Sequence, residues 1–169
     1  MTNRLPLNFF LQGALEVAPG LLGKILVRQY ADGRTERYRI NETEAYCGIE
    51  DLASHASKGR TTRTDVMFRQ GGTVYVYLIY GMYWMLNIVA GQKDIPEAVL
   101  IRGVEGVVGP GRVGRLLKLD STFYGEDLAT SQRLWIEDGE PVSEFQTSKR
   151  VGVDYSGPEW AEKQWRFYY

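Results

Sequence analysis

Between Gln70 and Gln92 the chain reads QGGTVYVYLIYGMYWMLNIVAGQ, 23 consecutive positions without a charge in a protein that is 24% charged. No other stretch constrains the fold as strongly, because so long an uncharged run has to leave water over much of its length. Three placements satisfy it: a membrane span, a plain buried hairpin, or a hairpin whose aromatic side chains meet a ligand. An apolar run of roughly 18 residues or more is the usual sign of a span. Here Gly81 and Asn87 lie inside the run, and its four tyrosines sit mid-run rather than at the two interfaces where aromatic residues gather. Val74 to Ile79 are β-branched, aromatic and aliphatic types suited to a strand. Tyr80-Gly81-Met82 then places a glycine where the chain must reverse. The expectation is a hairpin.

Its tip is unusual. Tyr80, Met82, Tyr83 and Trp84 stand where Asn, Asp, Ser and Gly normally gather. An exposed apolar tip implies that a partner touches it; the alternative is a tip folded back beneath a loop.

At 169 residues the chain fits one domain with a core that needs no metal or disulfide. The single cysteine, Cys47, excludes an internal disulfide and a cysteine-based zinc site, and suits a reducing compartment. The single histidine, His55, argues against a His-ligated metal site or a His-based hydrolase triad. The opening MTNRLPLNFFL is too short and too polar for a signal peptide. These features point to a soluble cytoplasmic protein.

The net charge of −1 argues weakly against nucleic acid, but its distribution argues the other way. Ser57 to Gln70 carries Lys58, Arg60, Arg63 and Arg69 against Asp65, and the segment from Arg102 to Lys118 carries Arg102, Arg112, Arg115 and Lys118 against Glu105. The remainder holds 12 basic and 19 acidic residues, net −7. Two basic islands in an acidic body read either as a phosphate footprint or as two solvated loops.

Residues 8 to 22 have apolar positions at helical spacing interrupted by Pro19, which predicts one or two short helices. Lys24–Tyr30 and Arg34–Ile40 form a second hairpin around Ala31-Asp32-Gly33, its second strand continuing to Tyr46. Period two puts Glu42, Glu44 and Tyr46 on one face. Residues 47 to 72 lack periodicity and read as a long irregular loop, functional or mobile. Glu97–Val104 reads as a buried strand with Arg102 inside it. Gly109-Pro110-Gly111 leads into a short helix over Arg112–Leu119, and further short strands fall at Arg133–Glu137, Arg150–Val153 and Gln164–Tyr168.

Glu44, on a strand bordering the aromatic stretch, is either a general base for water or an exposed strand carboxylate. A buried Arg102 needs a carboxylate or a ligand, and Glu44 is the obvious candidate. Asn87 must satisfy its amide inside an apolar strand. The glycine pairs are too weak to indicate a nucleotide site. One buried arginine, one strand glutamate, stacked tyrosines, an aromatic tip and two basic islands suit a protein that holds a flat aromatic ligand beside a polyanion.

These residues resemble a known family. ETEAY (Glu42 to Tyr46), ED-x-x-x-H (Glu50 to His55), Met67-Phe68, G-T-x-Y-V-Y-x-I-Y-G-M-Y (Gly72 to Tyr83), Asn87-Ile88, VLIR (Val99 to Arg102), GPG (Gly109 to Gly111), RVGV (Arg150 to Val153) and WRFY (Trp165 to Tyr168) are similar, in order, to the alkyladenine, or 3-methyladenine, DNA glycosylases. The resemblance covers nearly the whole chain, and ETEAY together with VYVYLIYGMY is its most specific part. It implies a monofunctional enzyme without metal, cofactor or lyase lysine, acting as a monomer on double-stranded DNA with damaged purines. Such an enzyme flips the damaged nucleotide out of the duplex. By the family pattern Tyr80 fills the vacated stack while Met82 and Tyr83 press on neighbouring bases, the wedge role of minor-groove side chains. Tyr46 and Tyr77 sandwich the extruded base, His55 contacts its edge largely through its backbone, and Leu100 joins the pocket. Asn87 discriminates against the exocyclic amino group of guanine. Glu44 deprotonates the water that attacks C1′, Arg102 orients Glu44 or that water, and Arg60, Arg63 and Arg112 contact phosphates.

Two departures stand out. Family members carry a longer, partly helical insert where this chain has only Gly106-Val107-Val108, and they continue beyond WRFY. The expected architecture is α+β: a single domain spanning 1–169, with a curved antiparallel sheet like an open barrel, flanking helices and a protruding β-hairpin. The expected lesions are 3-methyladenine, 7-methylguanine, hypoxanthine and ethenoadenine. The expected location is the bacterial cytoplasm at the nucleoid, or the nucleus of a eukaryote. The rival readings are a catalytically silent nucleic-acid-binding module with the same pocket, which the shortened insert favours and Glu44 opposes, and a membrane-associated hairpin protein.

Overall fold

Alternation along four strands decides the architecture. The computed structural model describes residues 3–169. β1 (Ile25–Gln29) and β2 (Thr35–Cys47) form the first hairpin, and β3 (Val74–Ile79) and β4 (Tyr83–Ala90) form the second, within the uncharged run. β5 (Glu97–Val104) pairs antiparallel with both β4 and β2, so the main order is β3-β4-β5-β2-β1, closed at the far edge by β7 (Leu134–Glu137). Val74, Val76, Leu86, Ile88, Val99, Ile101 and Ala45 belong to one hydrophobic core. The intervening residues Tyr75, Tyr77, Met85, Asn87, Leu100, Arg102, Glu44 and Tyr46 point to the other side of the sheet, as a period of two requires.

Two helices cover the core face, after a four-residue α1 (Leu7–Phe10). α2 (Ala14–Gly20) lays Ala14, Val17 and Ala18 on the sheet, and Thr43 anchors it by donating its hydroxyl to the Ala18 carbonyl at 2.8 Å. α3 (Pro110–Leu116) packs Val113 against β4, with Pro110 at its first position, where the missing N–H costs nothing. The close approach of α3 to β4 depends on Gly114, since a Cβ there would lie 1.8 Å from the Trp84 carbonyl oxygen.

β2 has 13 residues and shifts register between Ile40 and Thr43, which lets its first half pair with β1 and its second half with β5 and β9 (Arg166–Tyr168). A bulge of this kind bends a strand and raises its twist. The sheet is large, antiparallel and open, as expected for the α+β class. The uncharged run is two paired strands, and among the described residues no helix is long and apolar enough to cross a membrane.

Local expectations differ in three places. The helix begins at Pro110 rather than Arg112 and ends at Leu116. Arg150–Val153 is a turn rather than a strand, because the Val151 N–H is used by a side chain and Gly152 sits at φ 75°. The edge strand β8 (Gln146–Ser148) pairs with β9 although its polar sequence carries no strand pattern. A four-residue helix α4 (Pro158–Ala161) follows.

Substituting Gly114→Ala forces α3 off β4, and overpacking of this kind costs about 3 kcal/mol. Urea unfolding should report a loss of that order; a change within experimental error would mean that the helix can shift freely.

Candidate active site

One row of the sheet forms the floor of the site. Glu44 on β2 pairs with Leu100 on β5, Leu100 with Asn87 on β4, and Asn87 with Tyr75 on β3. Cross-strand partners share a face, so these four side chains stand together at the bottom of a cavity of about 580 Å³. Tyr46 and Tyr77, each two residues further along its strand, line the same cavity with His55, Arg102 and Met85. Asn87 is buried and donates its amide to the Tyr75 carbonyl at 3.3 Å.

Glu44 is 0% exposed, and its two oxygens have different partners. Oε1 accepts the Tyr46 hydroxyl at 2.9 Å, with an Arg102 guanidinium nitrogen 3.7 Å away, and Oε2 accepts the Val151 N–H at 2.7 Å. Burial raises the Glu44 pKa, with Arg102 and the two hydrogen bonds opposing the rise. A carboxylate raised in this way holds a proton more readily than an exposed glutamate. Arg102 lies nearer to Glu42, at 3.4 Å, and Glu42 also bonds Arg166. Glu42 therefore shares Arg102 with Glu44, a role the strand spacing did not reveal.

The cavity wall is a packed aromatic edge. His55 sits in a single 3-10 turn (His55–Lys58) whose N-cap Ser54 accepts the Ala56 N–H. Its Nδ1 is 2.9 Å from the Tyr75 hydroxyl and its ring is 4.6 Å, edge-on, from that of Tyr77. Burial, with Arg63 nearby, lowers the His55 pKa from 6.5 to about 4, so the imidazole is neutral. Burial likewise raises Tyr75 to about 12 and keeps Tyr46 and Tyr77 protonated.

The hairpin tip stands at the mouth. Tyr80 and Gly81 both have positive φ, 54° and 67°, and the Met82 N–H donates to the Ile79 carbonyl. This is the twist-matched hairpin turn that normally carries Asn-Gly. A tyrosine in that region is strained, and such strain gathers at functional sites. Tyr80 is 84% and Met82 57% exposed, so the tip faces solvent instead of folding under a loop. Tyr83 differs: it is half-buried against α3, where Gly111 leaves room for its ring and Arg115 lies 5.5 Å from its centroid.

The arginines separate. Arg63 and Arg112 line the cavity, with the Arg63 guanidinium 5.0 Å from the Tyr77 ring. Arg60 stands away from it, paired with Asp94 at 3.0 Å and Asp65 at 3.5 Å.

Comparison with known proteins bears directly on this arrangement. The family model described as "Methylpurine-DNA glycosylase (MPG)" matches residues 8–109 and 106–169. Curated relatives named "Putative 3-methyladenine DNA glycosylase" include one from Methanocella arvoryzae, 44% identical, covering 97% of this chain and 91% of its own length. Another, from an Anaeromyxobacter species, is 45% identical over 97% of this chain and 88% of its own length. A third, from Borreliella burgdorferi, is 42% identical over 95% and 92%. The chain belongs to the methylpurine-DNA glycosylase family.

The two segments of the methylpurine-DNA glycosylase match meet at residues 106–109, the place where the sequence reading expects a shortened insert. There β5 turns directly into β6 (Val107–Val108), Val104 pairing with Val107 around Glu105-Gly106, with Gly106 at φ 88°. The connection is a tight hairpin, with Val108 72% exposed at the cavity mouth. Three features of the site lay beyond sequence reading. Val151 and Tyr155 line the cavity from the C-terminal segment, and the buried pair Asp51–Arg150 lies behind Tyr46. Tyr46 and Arg150 did stand within the ETEAY and RVGV motifs, which is the one signal that links them.

Because the folded pKa of His55 is depressed, the folded state binds fewer protons than the unfolded chain between pH 6.5 and about 4. Its contribution to stability is complete above 6.5 and is lost as pH falls through about 4. A His55→Gln variant should therefore lose stability less steeply than wild type across that window in denaturant unfolding. Equal slopes, or an NMR titration of His55 near 6.5, would contradict the burial.

Proposed function

We propose that this protein is a monofunctional DNA glycosylase that extrudes an alkylated or deaminated purine nucleotide from duplex DNA and hydrolyses its N-glycosidic bond. The observation that carries the reading is a buried carboxylate, Glu44, at the floor of a cavity walled by Tyr46 and Tyr77, with an exposed and strained Tyr80 at its mouth. The names of its relatives support the same chemistry. Chemistry on a base requires removal from the stack, and Tyr80 with Met82 supplies the wedge that takes its place. Tyr83, braced on α3, supports the wedge from its base.

The extruded purine lies against Tyr46 and Tyr77, where stacking contributes about 1–3 kcal/mol per base. A cationic alkylpurine adds a cation–π attraction of about 0.5–2 kcal/mol. The His55 region meets the purine edge, Leu100 packs beneath it, and Asn87 occupies the position that penalises the amino group of guanine. Glu44 takes a proton from water as the water oxygen bonds to C1′. The C1′–N bond breaks with its electron pair leaving on the base, and Arg102 holds Glu44 in place. A purine alkylated at N3 or N7 carries positive charge in the nucleotide and leaves as a neutral base. Hypoxanthine and ethenoadenine are neutral and leave with a proton taken from solvent. The substrates of this reading are 3-methyladenine, 7-methylguanine, hypoxanthine and ethenoadenine. Arg63 and Arg112 at the mouth contact the phosphates beside the lesion, and Arg60 joins them if DNA releases it from Asp94. The cavity is complete within one chain, which supports action as a monomer.

A Glu44→Gln variant should bind an alkylated or hypoxanthine-containing duplex as wild type does while losing excision by several orders of magnitude; excision at the wild-type rate would remove Glu44 as the base. Tyr80→Ser should weaken lesion binding in a gel-shift assay while chemistry persists at saturating enzyme. Unchanged affinity would remove the wedge.

A further inference from the structure

Two of the most buried charges in the molecule take no part in the chemistry above. The side chains of Asp51 and Arg150 are both 0% exposed. They meet two-armed, at 2.7 and 3.0 Å, and Arg150 also donates to the Ala45 carbonyl at 3.0 Å and the Trp160 carbonyl at 3.1 Å. Asp51 accepts the Cys47 and Ala53 N–H groups. The pair thus joins the end of β2, the loop leading to His55, the turn after β8, and α4. Taking two charges out of water costs more than apolar packing of the same volume, so stability alone does not account for such a pair.

The neighbouring residues supply the reason. Val151, next in sequence to Arg150, donates its N–H to Glu44 Oε2 from a turn whose own side chain is 52% exposed. The Arg150 guanidinium also lies 4.9 Å from the centroid of Tyr46, whose hydroxyl donates to Glu44 Oε1. Arg150 therefore touches the support of each Glu44 oxygen without touching Glu44 or the cavity.

We propose that Asp51 and Arg150 act as a positioning pair for Glu44, fixing the Val151 N–H and the Tyr46 ring so that the carboxylate keeps its orientation and charge. The kinetic consequence rests on the reading of Glu44 as the base. The other groups facing Glu44 are Arg102 from β5, Tyr77 from β3, Tyr155 from the C-terminal segment, and Arg166, paired across on β9 but bonded to Glu42 and Ser148. None of these holds Val151. Losing its N–H removes one of two hydrogen bonds that favour the ionised form, so the Glu44 pKa must rise.

The test uses the full chain in two variants. Asp51→Leu with Arg150→Met removes the pair without stranding a charge, and circular dichroism with thermal unfolding establishes that the variant is folded before it is titrated. Arg150→Lys keeps the charge but not the two-armed geometry, so a shift there reports geometry rather than lost attraction. Carbon-13 NMR follows the Glu44 carboxyl through its titration, and single-turnover excision of a hypoxanthine duplex is measured against pH. In both variants the Glu44 titration and the acid limb of the rate should move up by about one pH unit, a roughly tenfold loss at the acid end. An unmoved titration in either folded variant, or equal loss of rate at every pH, would overturn the positioning role. Absence of excision by wild type at every pH would instead remove the proposed function, and the NMR titration would still decide the positioning claim.

Discussion

The structure depends on keeping one carboxylate out of water. Glu44 lies on a bent strand at the centre of the sheet, with a backbone N–H, a tyrosine hydroxyl and, slightly further off, an arginine around it. A lone carboxylate in such a place would protonate or draw water in. The partners come from β2 itself, from β5 and from the turn after β8, so the site needs the sheet and that turn together. The residual desolvation leaves Glu44 more basic than an exposed glutamate, the condition a proton acceptor needs.

The sheet makes this possible by keeping its two faces distinct. Valines, leucines and isoleucines of β3, β4 and β5 close one face against α2 and α3, while the residues between them form the polar and aromatic floor of the cavity. A slip of one residue in any strand would exchange the two sets. The register therefore positions the site as strictly as any single contact does. The helix α3 serves both faces: it seals the core through Val113 and braces the hairpin through Gly111 and Tyr83.

Much of this was legible in the sequence where the signal is local. The uncharged run, its central glycine and the alternation of VYVYLI show the hairpin, and NETEAY shows Glu44 and Tyr46 on a shared face, because strand periodicity is a property of neighbouring residues. What was not legible is contact across distance. Asp51 and Arg150 are 99 residues apart, and Arg102 meets Glu42 as well as Glu44 only through the pairing of β5 with β2. Arg150–Val153 looks like a strand in composition, yet its backbone donor is taken by a carboxylate. The exposed tip could be read as unusual, but only the positive φ of Tyr80 and the helix behind Tyr83 show that one aromatic is displayed and the other docked.

The shortened turn between β5 and β6 leaves the cavity floor intact, since Leu100 and Arg102 precede it on the same strand. The central claim is that the cavity receives an extruded purine, and a crystal structure with duplex DNA tests it most directly, using a damaged nucleotide whose sugar is fluorinated to resist hydrolysis. A purine held between Tyr46 and Tyr77, Tyr80 in the gap it left, and its anomeric carbon one water away from Glu44 is the expected result. A damaged base still stacked in the duplex, or bound elsewhere with the cavity empty, would contradict it.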